Sequence, residues 1–207
     1  MFKQKYFIDS HKGITFLAIL AMIAWFGRWE NITAWTYLAL HGTYGILWVL
    51  KSRIFPDKQW EIDKGPAYAL LILGGLSAYW VSPFLITWQN VNAPAWLIGL
   101  TISMNIFGVF FHFTSDMQKY IQLKYHAGHL ITDGMFAHSR NINYFGELLI
   151  YLSFALLSMH WLPLVILAVF VFGFWLGFMR KKDKSLSRYP EFSEYKKKSK
   201  LFIPFLF

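Results

Sequence analysis

The chain has 207 residues, of which 56% are hydrophobic, 20% are aromatic and only 15% are charged. A soluble domain carries about a quarter charged residues, so this composition excludes an ordinary water-exposed surface and indicates a lipid bilayer as the solvent. The net charge of +9 lies in loops and tails rather than on a soluble basic face, so no nucleic-acid partner is expected. The chain has no cysteine, which excludes disulfides, thiolate nucleophiles and cysteine metal sites.

Apolar segments predict six membrane spans, at 13–27, 31–50, 66–87, 94–113, 144–159 and 161–179. A spanning helix needs about 20 residues, so the short first and fifth segments require tilt or interfacial tryptophans. We therefore predict an all-α polytopic membrane helix bundle that forms one integral membrane domain over residues 1–207. Four spans fall in residues 1–115 and two in residues 116–207.

The lysines and arginines predict the orientation of this bundle. In a six-span arrangement all of them except Arg28 fall on one side. Because positive residues favour the inner side of a membrane, both termini are expected to be cytoplasmic. The first span is followed by Arg28, Trp29 and Glu30 without a small-residue cleavage site, so it is predicted to remain in the membrane.

Polar side chains inside the predicted spans are the first candidates for a functional site, because each needs a partner or a wet cavity in lipid. The second span carries Tyr37, His41, Tyr44 and Trp48 at a spacing that puts them on one helical face. One interpretation is a histidine that only fixes helix packing. The other is a cavity wall in which Tyr44 or His41 donates a proton to a bound molecule.

A second group lies where the fourth span ends, in "FGVFFHFTSDMQKYIQ". His112, Asp116 and Tyr120 follow one another at intervals of four, so they share a helical face. The carboxylate could simply be solvated at the membrane surface. A zinc site is disfavoured because no neighbouring cluster supplies the remaining ligands.

The third group lies in "DGMFAHSRNINYFGELLIYLSFALL", residues 133–157. A helix that starts near Asn141 places Asn143, Glu147 and Tyr151 on one face, with Arg140 and Tyr144 beside it. Arg140 could neutralise Glu147 as a structural pair. Alternatively the group forms a nucleotide pocket, since an arginine suits phosphate, and Asn and Glu suit amide or ribose groups.

The carboxyl-terminal tail, "KKDKSLSRYPEFSEYKKKSKLFIPFLF", is basic and aromatic before it becomes apolar. It could bind anionic lipid or fold back over a cofactor with its lysines near phosphates. The chain lacks the glycine-rich and metal-binding motifs GxGxxG, GxxxxGK[ST] and HExxH. A bound nucleotide would therefore have to be held by helices and loops at the membrane face.

The segment "DGMFAHSRNINYFGE" resembles the glycine-to-glutamate segment of the steroid 5-alpha-reductase family. The similarity extends to "SDMQKYIQ" upstream and to the terminal "IPFLF", and so covers roughly the last 100 residues. It implies a membrane-embedded reductase in which NADPH, bound on the cytoplasmic side, gives hydride to an activated carbon–carbon double bond of a steroid-like lipid. Residues 1–115 would then form the substrate side, and residues 116–207 would bind the cofactor.

By position in the motif, the resemblance assigns Asp116, Asn143 and Glu147 to NADPH and gives Tyr144 and Gly146 a role in shaping the turn. It matches Tyr195 to a cofactor-facing tyrosine of the tail. His112 stands where the family more often has asparagine. The predicted cofactor site also includes His112, Lys124 and Arg140. The catalytic candidates are Tyr44, which would polarise the substrate carbonyl, with His41 and Glu147; no metal is expected.

The same carboxyl-terminal region also resembles that of the isoprenylcysteine carboxyl methyltransferases, which bind S-adenosylmethionine. Arg140, Tyr144 and Gly146 fit their motif, but Asn141 and Ile142 replace its His-Pro. Lys182 and Asp183 stand where that group has two glutamates. A methyltransferase acting on a lipid or isoprenoid-linked carboxylate is therefore the second hypothesis, and a non-enzymatic membrane protein that binds a sterol or isoprenoid is the third.

Overall fold

Helices form nearly all of the regular structure in the computed structural model, which describes residues 2–207. Short π-helical turns at Leu38–Gly42 and Val171–Trp175 link α2 to α3 and α8 to α9, and a 3₁₀ turn at Ala78–Trp80 links α4 to α5. Further 3₁₀ turns lie at Lys58–Glu61 and Gly134–Phe136. The α-helices are α1 (Gln4–Trp25), α2 (Ile32–Tyr37), α3 (Thr43–Ile54), α4 (Pro66–Ser77), α5 (Val81–Trp88), α6 (Ala95–Tyr125), α7 (Ile142–Leu157), α8 (Trp161–Phe170), α9 (Leu176–Leu186) and α10 (Phe192–Lys198).

The helices confirm the predicted all-α polytopic membrane fold. Every predicted span falls on a helical segment. Within residues 2–207, four helical runs are long and apolar enough to cross a bilayer: Gln4–Trp25, Pro66–Trp88, Ala95–Tyr125 and Trp161–Leu186. The run Ile142–Leu157 is apolar but shorter, as expected for the fifth span.

Two helices extend further than the hydropathy predicted. Helix α1 begins at Gln4 rather than near residue 13. The charged residues of its first turns lower the local hydropathy, so the hydropathy pattern does not show this part of the helix. One of these residues, Lys12, is only 6% exposed. Helix α6 continues to Tyr125, twelve residues beyond the predicted end of the span, and both Ser115 and Asp116 are buried within this extension.

The chain divides into two compact units. The first unit comprises the chain up to Asn105 together with Tyr151–Ile166, and the second comprises Ile106–Ile150 and Leu167–Phe207. Helices α6 and α7 therefore each contribute residues to both units.

In the first unit α1 packs closely against α3. A Cβ atom at Gly45 would collide with the backbone carbonyl of Lys12, so only glycine permits this approach. The beginning of α1 is fixed by a two-stranded antiparallel sheet in which β1 (Phe2–Lys3) pairs with β2 (Asp63–Lys64). This packing brings Lys12 alongside the buried face of α3.

Candidate active site

In the second unit, helices α6 and α7 meet through two glycines. A Cβ atom on Gly146 would lie 2.5 Å from the backbone nitrogen of His112, and one on Gly108 would lie 2.7 Å from the carbonyl oxygen of Gly146. Real side chains do not tolerate such distances, so both glycines are required by the contact. Gly146 therefore lies inside α7 and permits helix packing there, rather than shaping a turn as the resemblance implied.

His112 and Asp116 lie on α6 facing the start of α7. His112 shares a hydrogen bond of 3.1 Å between its Nδ1 atom and the carbonyl oxygen of Asn143. Its Nε2 atom is 3.9 Å from the carboxylate of Asp116, which is also 3.9 Å from Lys119 Nζ. His112 and Asp116 are both buried. The structure thus brings together three of the predicted cofactor residues, His112, Asp116 and Asn143.

Unsatisfied polar atoms accompany this contact. The side-chain oxygens of Asn141 and Asn143 are inaccessible to solvent, and within residues 2–207 neither accepts a hydrogen bond. Buried polar atoms of this kind are uncommon, because each costs about 1–3 kcal/mol. Glu147, one helical turn after Asn143, is partly exposed, and its carboxylate has no hydrogen bond or ion pair with the described part of the chain. These acceptors are available to a ligand that carries N–H or O–H groups.

Arg140 does not pair with Glu147. Its guanidinium instead binds the carboxylate of Asp183 on α9, with Nε–Oδ1 and Nη2–Oδ2 distances of 2.9 Å. A third bond of 2.6 Å runs from Nη1 to the carbonyl oxygen of Ser199. Arg140 is 5% exposed, so it ties the start of α7 to α9 and to the tail.

The tail folds back along the segment that precedes α7. Ser139 and Lys200 form a parallel bridge, in which the backbone nitrogen of Arg140 donates to the carbonyl of Lys200 at 2.9 Å. Ser139 Oγ donates to the carbonyl of Phe202, and the side-chain amide of Asn141 donates to that of Leu201. The terminal "LFIPFLF" is thereby attached to the beginning of the Asn-Tyr-Phe-Gly-Glu motif.

Tyr195 lies on α10, within the tail. Its hydroxyl donates to the carbonyl of Phe136 at 2.7 Å. Burial raises the pKa of the Tyr195 phenol to about 12, and the positive charge of Arg140 opposes this in part. The phenol is therefore neutral at physiological pH and can donate its proton.

A cavity of about 180 Å³ opens between the loop after α6 and the chain from α9 to α10. Its wall combines basic and aromatic side chains with aliphatic ones. Tyr189 receives a hydrogen bond from Arg188 at 3.2 Å, and Lys182 donates to the carbonyl of Arg140 at 2.7 Å. The lining residues are Lys119, Leu123, His129, Leu130, Ile131, Phe136, Arg140, Lys182, Leu186, Arg188, Tyr189 and Tyr195.

Of the predicted cofactor residues, only Arg140 and Tyr195 line this cavity. Lys124 is exposed near the end of α6, with its ammonium over the rings of Tyr120 and Tyr125 at 5.5 and 5.2 Å. The ring of Tyr144 packs against Trp175 with centroids 5.6 Å apart. Within residues 2–207 no group of three or more His, Asp or Glu side chains could hold a metal.

The predicted face of the second span belongs to the first unit. Tyr37, His41, Tyr44 and Trp48 are all buried, as their spacing indicated. His41 Nδ1 is 2.9 Å from the hydroxyl of Tyr37, and its ring stacks on Phe154 with centroids 4.3 Å apart. His41 also lies in the π-helical turn, a feature often found at functional sites.

Tyr44 belongs to a cluster that the sequence did not indicate. Lys12 Nζ donates to the hydroxyl of Tyr151 at 2.8 Å and to that of Tyr44 at 3.3 Å. The same ammonium lies 4.4 Å from the ring of Tyr44 and 4.3 Å from that of Trp48. Lys12 is thus enclosed by aromatic side chains. The sequence reading missed it because its position favoured a lysine in a cytoplasmic tail.

Asp183, Lys182 and Tyr189 were also missed as site residues. In the sequence, Asp183 and Lys182 stand out only as departures from the glutamate pair of the methyltransferases. Their contacts with Arg140 span more than forty positions, and no local pattern encodes such a pairing. The one available signal was the basic and aromatic composition of the tail.

These features define a polytopic membrane protein with a polar site built on two closely packed helices and a cavity lined by basic, aromatic and aliphatic side chains. The model of the family described as 3-oxo-5-alpha-steroid 4-dehydrogenase matches residues 62–207, and the chain belongs to this family. It is a membrane oxidoreductase of the steroid-reductase type, acting on a CH–CH group. The match confirms the resemblance and begins well before the last 100 residues. No curated protein sequence matches the chain.

Proposed function

We propose that this chain reduces a carbon–carbon double bond conjugated to a carbonyl group in a steroid-like lipid, with NADPH as the cofactor. The proposal rests chiefly on the basic, tyrosine-lined cavity of the second unit, next to the family motif. When bound, NADPH would supply the hydride, which the side chains of a protein cannot do.

The donors and acceptors around the cavity suit the two ends of a dinucleotide phosphate. Lys119, Lys182 and Arg188 offer positive charge to phosphate groups. The volume of about 180 Å³ is below the 300–1,000 Å³ of a pocket that encloses a drug-sized ligand. We therefore assign the cavity to the phosphate-bearing adenosine end only. The rings of Tyr189 and Tyr195 would border that end.

Asn143 and Glu147 are assigned to the nicotinamide end. A carboxamide carries two N–H donors, and the buried oxygen of Asn143 and the carboxylate of Glu147 are both acceptors without a protein partner in residues 2–207. Such acceptors are satisfied by an amide donor. His112 and Asp116 would hold Asn143 in place from α6.

The substrate carbonyl is assigned to Tyr44 in the first unit, with His41 supporting the same buried face. A phenol can polarise an enone by donating a hydrogen bond to its oxygen, which makes the double bond a better hydride acceptor. Tyr44 is 1% exposed, so its hydroxyl is shielded from bulk water. A steroid-like lipid is the class of substrate that such an apolar, water-shielded site would favour.

The methyltransferase hypothesis is weakened by the contacts of Asp183. In place of a glutamate pair, the chain has one carboxylate that is already engaged by Arg140 and one lysine that donates to a backbone carbonyl. Neither side chain is available to the cationic sulfonium of S-adenosylmethionine. The arrangement favours an anionic cofactor.

Thermal-shift titration of the purified protein in detergent micelles tests the proposal. A ligand that binds only the folded state stabilises it by about 2.7 kcal/mol at a concentration 100 times its Kd. NADPH should raise the Tm, and S-adenosylmethionine should not. Glu147→Gln and Asn143→Ala should each remove the NADPH shift, while the control Lys181→Gln, an exposed lysine outside the cavity, should retain it. An undiminished NADPH shift in Glu147→Gln would refute the assigned site.

A further inference from the structure

Residues 196–207, "KKKSKLFIPFLF", combine positive charge with exposed apolar side chains. The segment contains four lysines and no acidic residue, and all four lysines are exposed. Phe205, Leu206 and Phe207 are 71%, 77% and 52% exposed. Large apolar side chains in a row are unfavourable in water when they are this exposed. Lysines beside such side chains are typical of segments that lie in the interface of a membrane.

The tip of this segment, residues 203–207, is a closed turn. The backbone nitrogen of Phe202 donates to the carbonyl oxygen of Phe207 at 2.7 Å, so the chain turns back between them. Phe205 has a φ of 66°, in the left-handed region that costs free energy for a bulky residue. Its ring packs against that of His138 with centroids 4.7 Å apart. The turn therefore holds the apolar side chains of the tip outward in a fixed arrangement.

The attachment of the segment to α7 determines how deep the tip lies in the membrane. The side-chain amide of Asn141, the residue before α7, donates to the carbonyl of Leu201 at 2.8 Å. Helix α7 has 16 residues and is about 24 Å long at a rise of 1.5 Å per residue. A hydrocarbon core is about 30 Å thick, so a spanning helix of this length begins no higher than the lipid head groups. The tip therefore lies at the depth of the head groups, on the side of the membrane where α7 begins.

We propose that residues 196–207 form an interfacial anchor, in which Phe205, Leu206 and Phe207 enter the bilayer and the lysines bind the head groups of anionic phospholipids. The charge of the segment is complementary to an anionic lipid surface, and its attachment to α7 places it where lipid is present. A second copy of the segment is a poorer partner, because the lysines of the two copies would repel each other.

The anchor is joined to the cavity of the second unit. Arg140, which lines the cavity, donates to the carbonyl of Ser199 within the anchor at 2.6 Å. Tyr195, another lining residue, lies directly before the anchor in the sequence. A segment that is fixed at the lipid surface therefore also fixes two residues of the cavity wall.

A single introduced cysteine can report the position of the tip, because the chain has no cysteine of its own. Leu206→Cys, labelled with the fluorophore bimane, changes a side chain that is mostly exposed. Ser193→Cys on α10 is the matched control, since Ser193 is also exposed and lies between Glu191 and Glu194, which an anionic surface repels. The full-length proteins would be placed in nanodiscs of phosphatidylglycerol and phosphatidylcholine, with and without bromine on the acyl chains.

We expect brominated lipid to quench the label at position 206 and to leave the label at position 193 nearly unchanged. Replacing phosphatidylglycerol with phosphatidylcholine should lower the quenching at position 206. Lys196→Gln and Lys198→Gln should lower it too, because each lysine near an anionic surface contributes about fivefold to binding. Lys124→Gln, which changes an exposed lysine outside the segment, should not lower it.

Three results would overturn the proposal. Equal quenching at positions 206 and 193, or quenching at neither, would show that the tip does not enter the bilayer. Blue-shifted emission at position 206 without quenching by brominated lipid would show that protein, such as a second copy of the chain, covers the tip. Quenching that depends neither on phosphatidylglycerol nor on the lysines would overturn the binding of anionic lipid. None of these measurements uses NADPH, so they are independent of the tests of the proposed function.

Discussion

Arg140 and Asp183 form a paired contact in which two guanidinium nitrogens each reach one carboxylate oxygen at 2.9 Å. Asp183→Ala leaves the buried guanidinium uncompensated, which for a buried pair costs about 3–5 kcal/mol. We expect a loss of stability near the lower end of that range, because Arg140 keeps its bond to Ser199. Denaturant or thermal unfolding in micelles measures the change.

Glu194→Gln provides the control for that variant. Glu194 and Lys197 form a pair at 2.8 Å whose side chains are 67% and 71% exposed, so its loss should cost less than about 1 kcal/mol. Equal destabilisation by the two variants would show that the buried Arg140–Asp183 pair stabilises the fold no more than an exposed pair does.

A methyl group at Gly108 should separate α6 from α7. The new Cβ would lie 2.7 Å from the carbonyl of Gly146 and 2.9 Å from the nitrogen of Ile150, and overpacking of this kind costs about 1–3 kcal/mol. Gly108→Ala should therefore lower the Tm and weaken NADPH binding, because Asn143 is held through the same contact. Gly99→Ala on the same helix has no atom within 4 Å of its new Cβ, and it should be neutral or slightly stabilising.

Charge at the cavity should govern the preference between nicotinamide cofactors. NADPH differs from NADH by one phosphate, so neutralising Arg188 or Lys119 with glutamine should weaken NADPH binding more than NADH binding. Removal of a charge-assisted contact costs about 1.5–3 kcal/mol, or roughly ten- to hundredfold in Kd. Isothermal titration with both cofactors measures the ratio, and Lys181→Gln should leave it unchanged. Equal losses of affinity for NADPH and NADH would show that the cavity does not recognise the additional phosphate of NADPH.

The raised pKa of Tyr195 gives stability a dependence on high pH. Its phenol loses a proton at about pH 12 in the folded protein, against 10.0 when unperturbed. The folded state therefore holds this proton more tightly, and the resulting stabilisation is complete below pH 10 and is lost as the pH rises towards 12. The free energies of unfolding of wild type and Tyr195→Phe, measured from pH 8 to 12, should approach each other as the pH rises over this interval. A difference independent of pH would contradict the assignment.

The sequence predicted the membrane fold well because hydropathy and helix length are local properties. Hydropathy placed the six apolar segments on helices, and within residues 2–207 four helical runs are long and apolar enough to cross a bilayer. The shared face of Tyr37, His41, Tyr44 and Trp48 followed from their spacing. The beginning of α1 could not be predicted, since a charged residue such as Lys12 lowers the hydropathy even where aromatic side chains bury it. The strands β1 and β2 have two residues each, which is too short for a periodic pattern, so they could not be predicted.

Residue pairs that are far apart in the sequence could not be predicted either. Arg140 lies seven positions from Glu147 and 43 from Asp183, and a pair with the nearer carboxylate was one of the two alternatives that the sequence offered. Arg140 instead contacts α9 and the tail from a position just before α7, whereas Glu147 lies inside that helix. Gly146 was noticed as part of a motif, but its steric role appears only when α6 lies against it.

Transfer of deuterium is the most direct test of hydride reduction by this chain. Protein in nanodiscs would be incubated with progesterone and NADPH deuterated at the transferred position of nicotinamide C4, and the steroid product analysed by mass spectrometry. We expect a reduced steroid carrying one deuterium at the former β-carbon, and no such product from Glu147→Gln. A steroid that is unreduced, or one reduced without the label, would contradict the account.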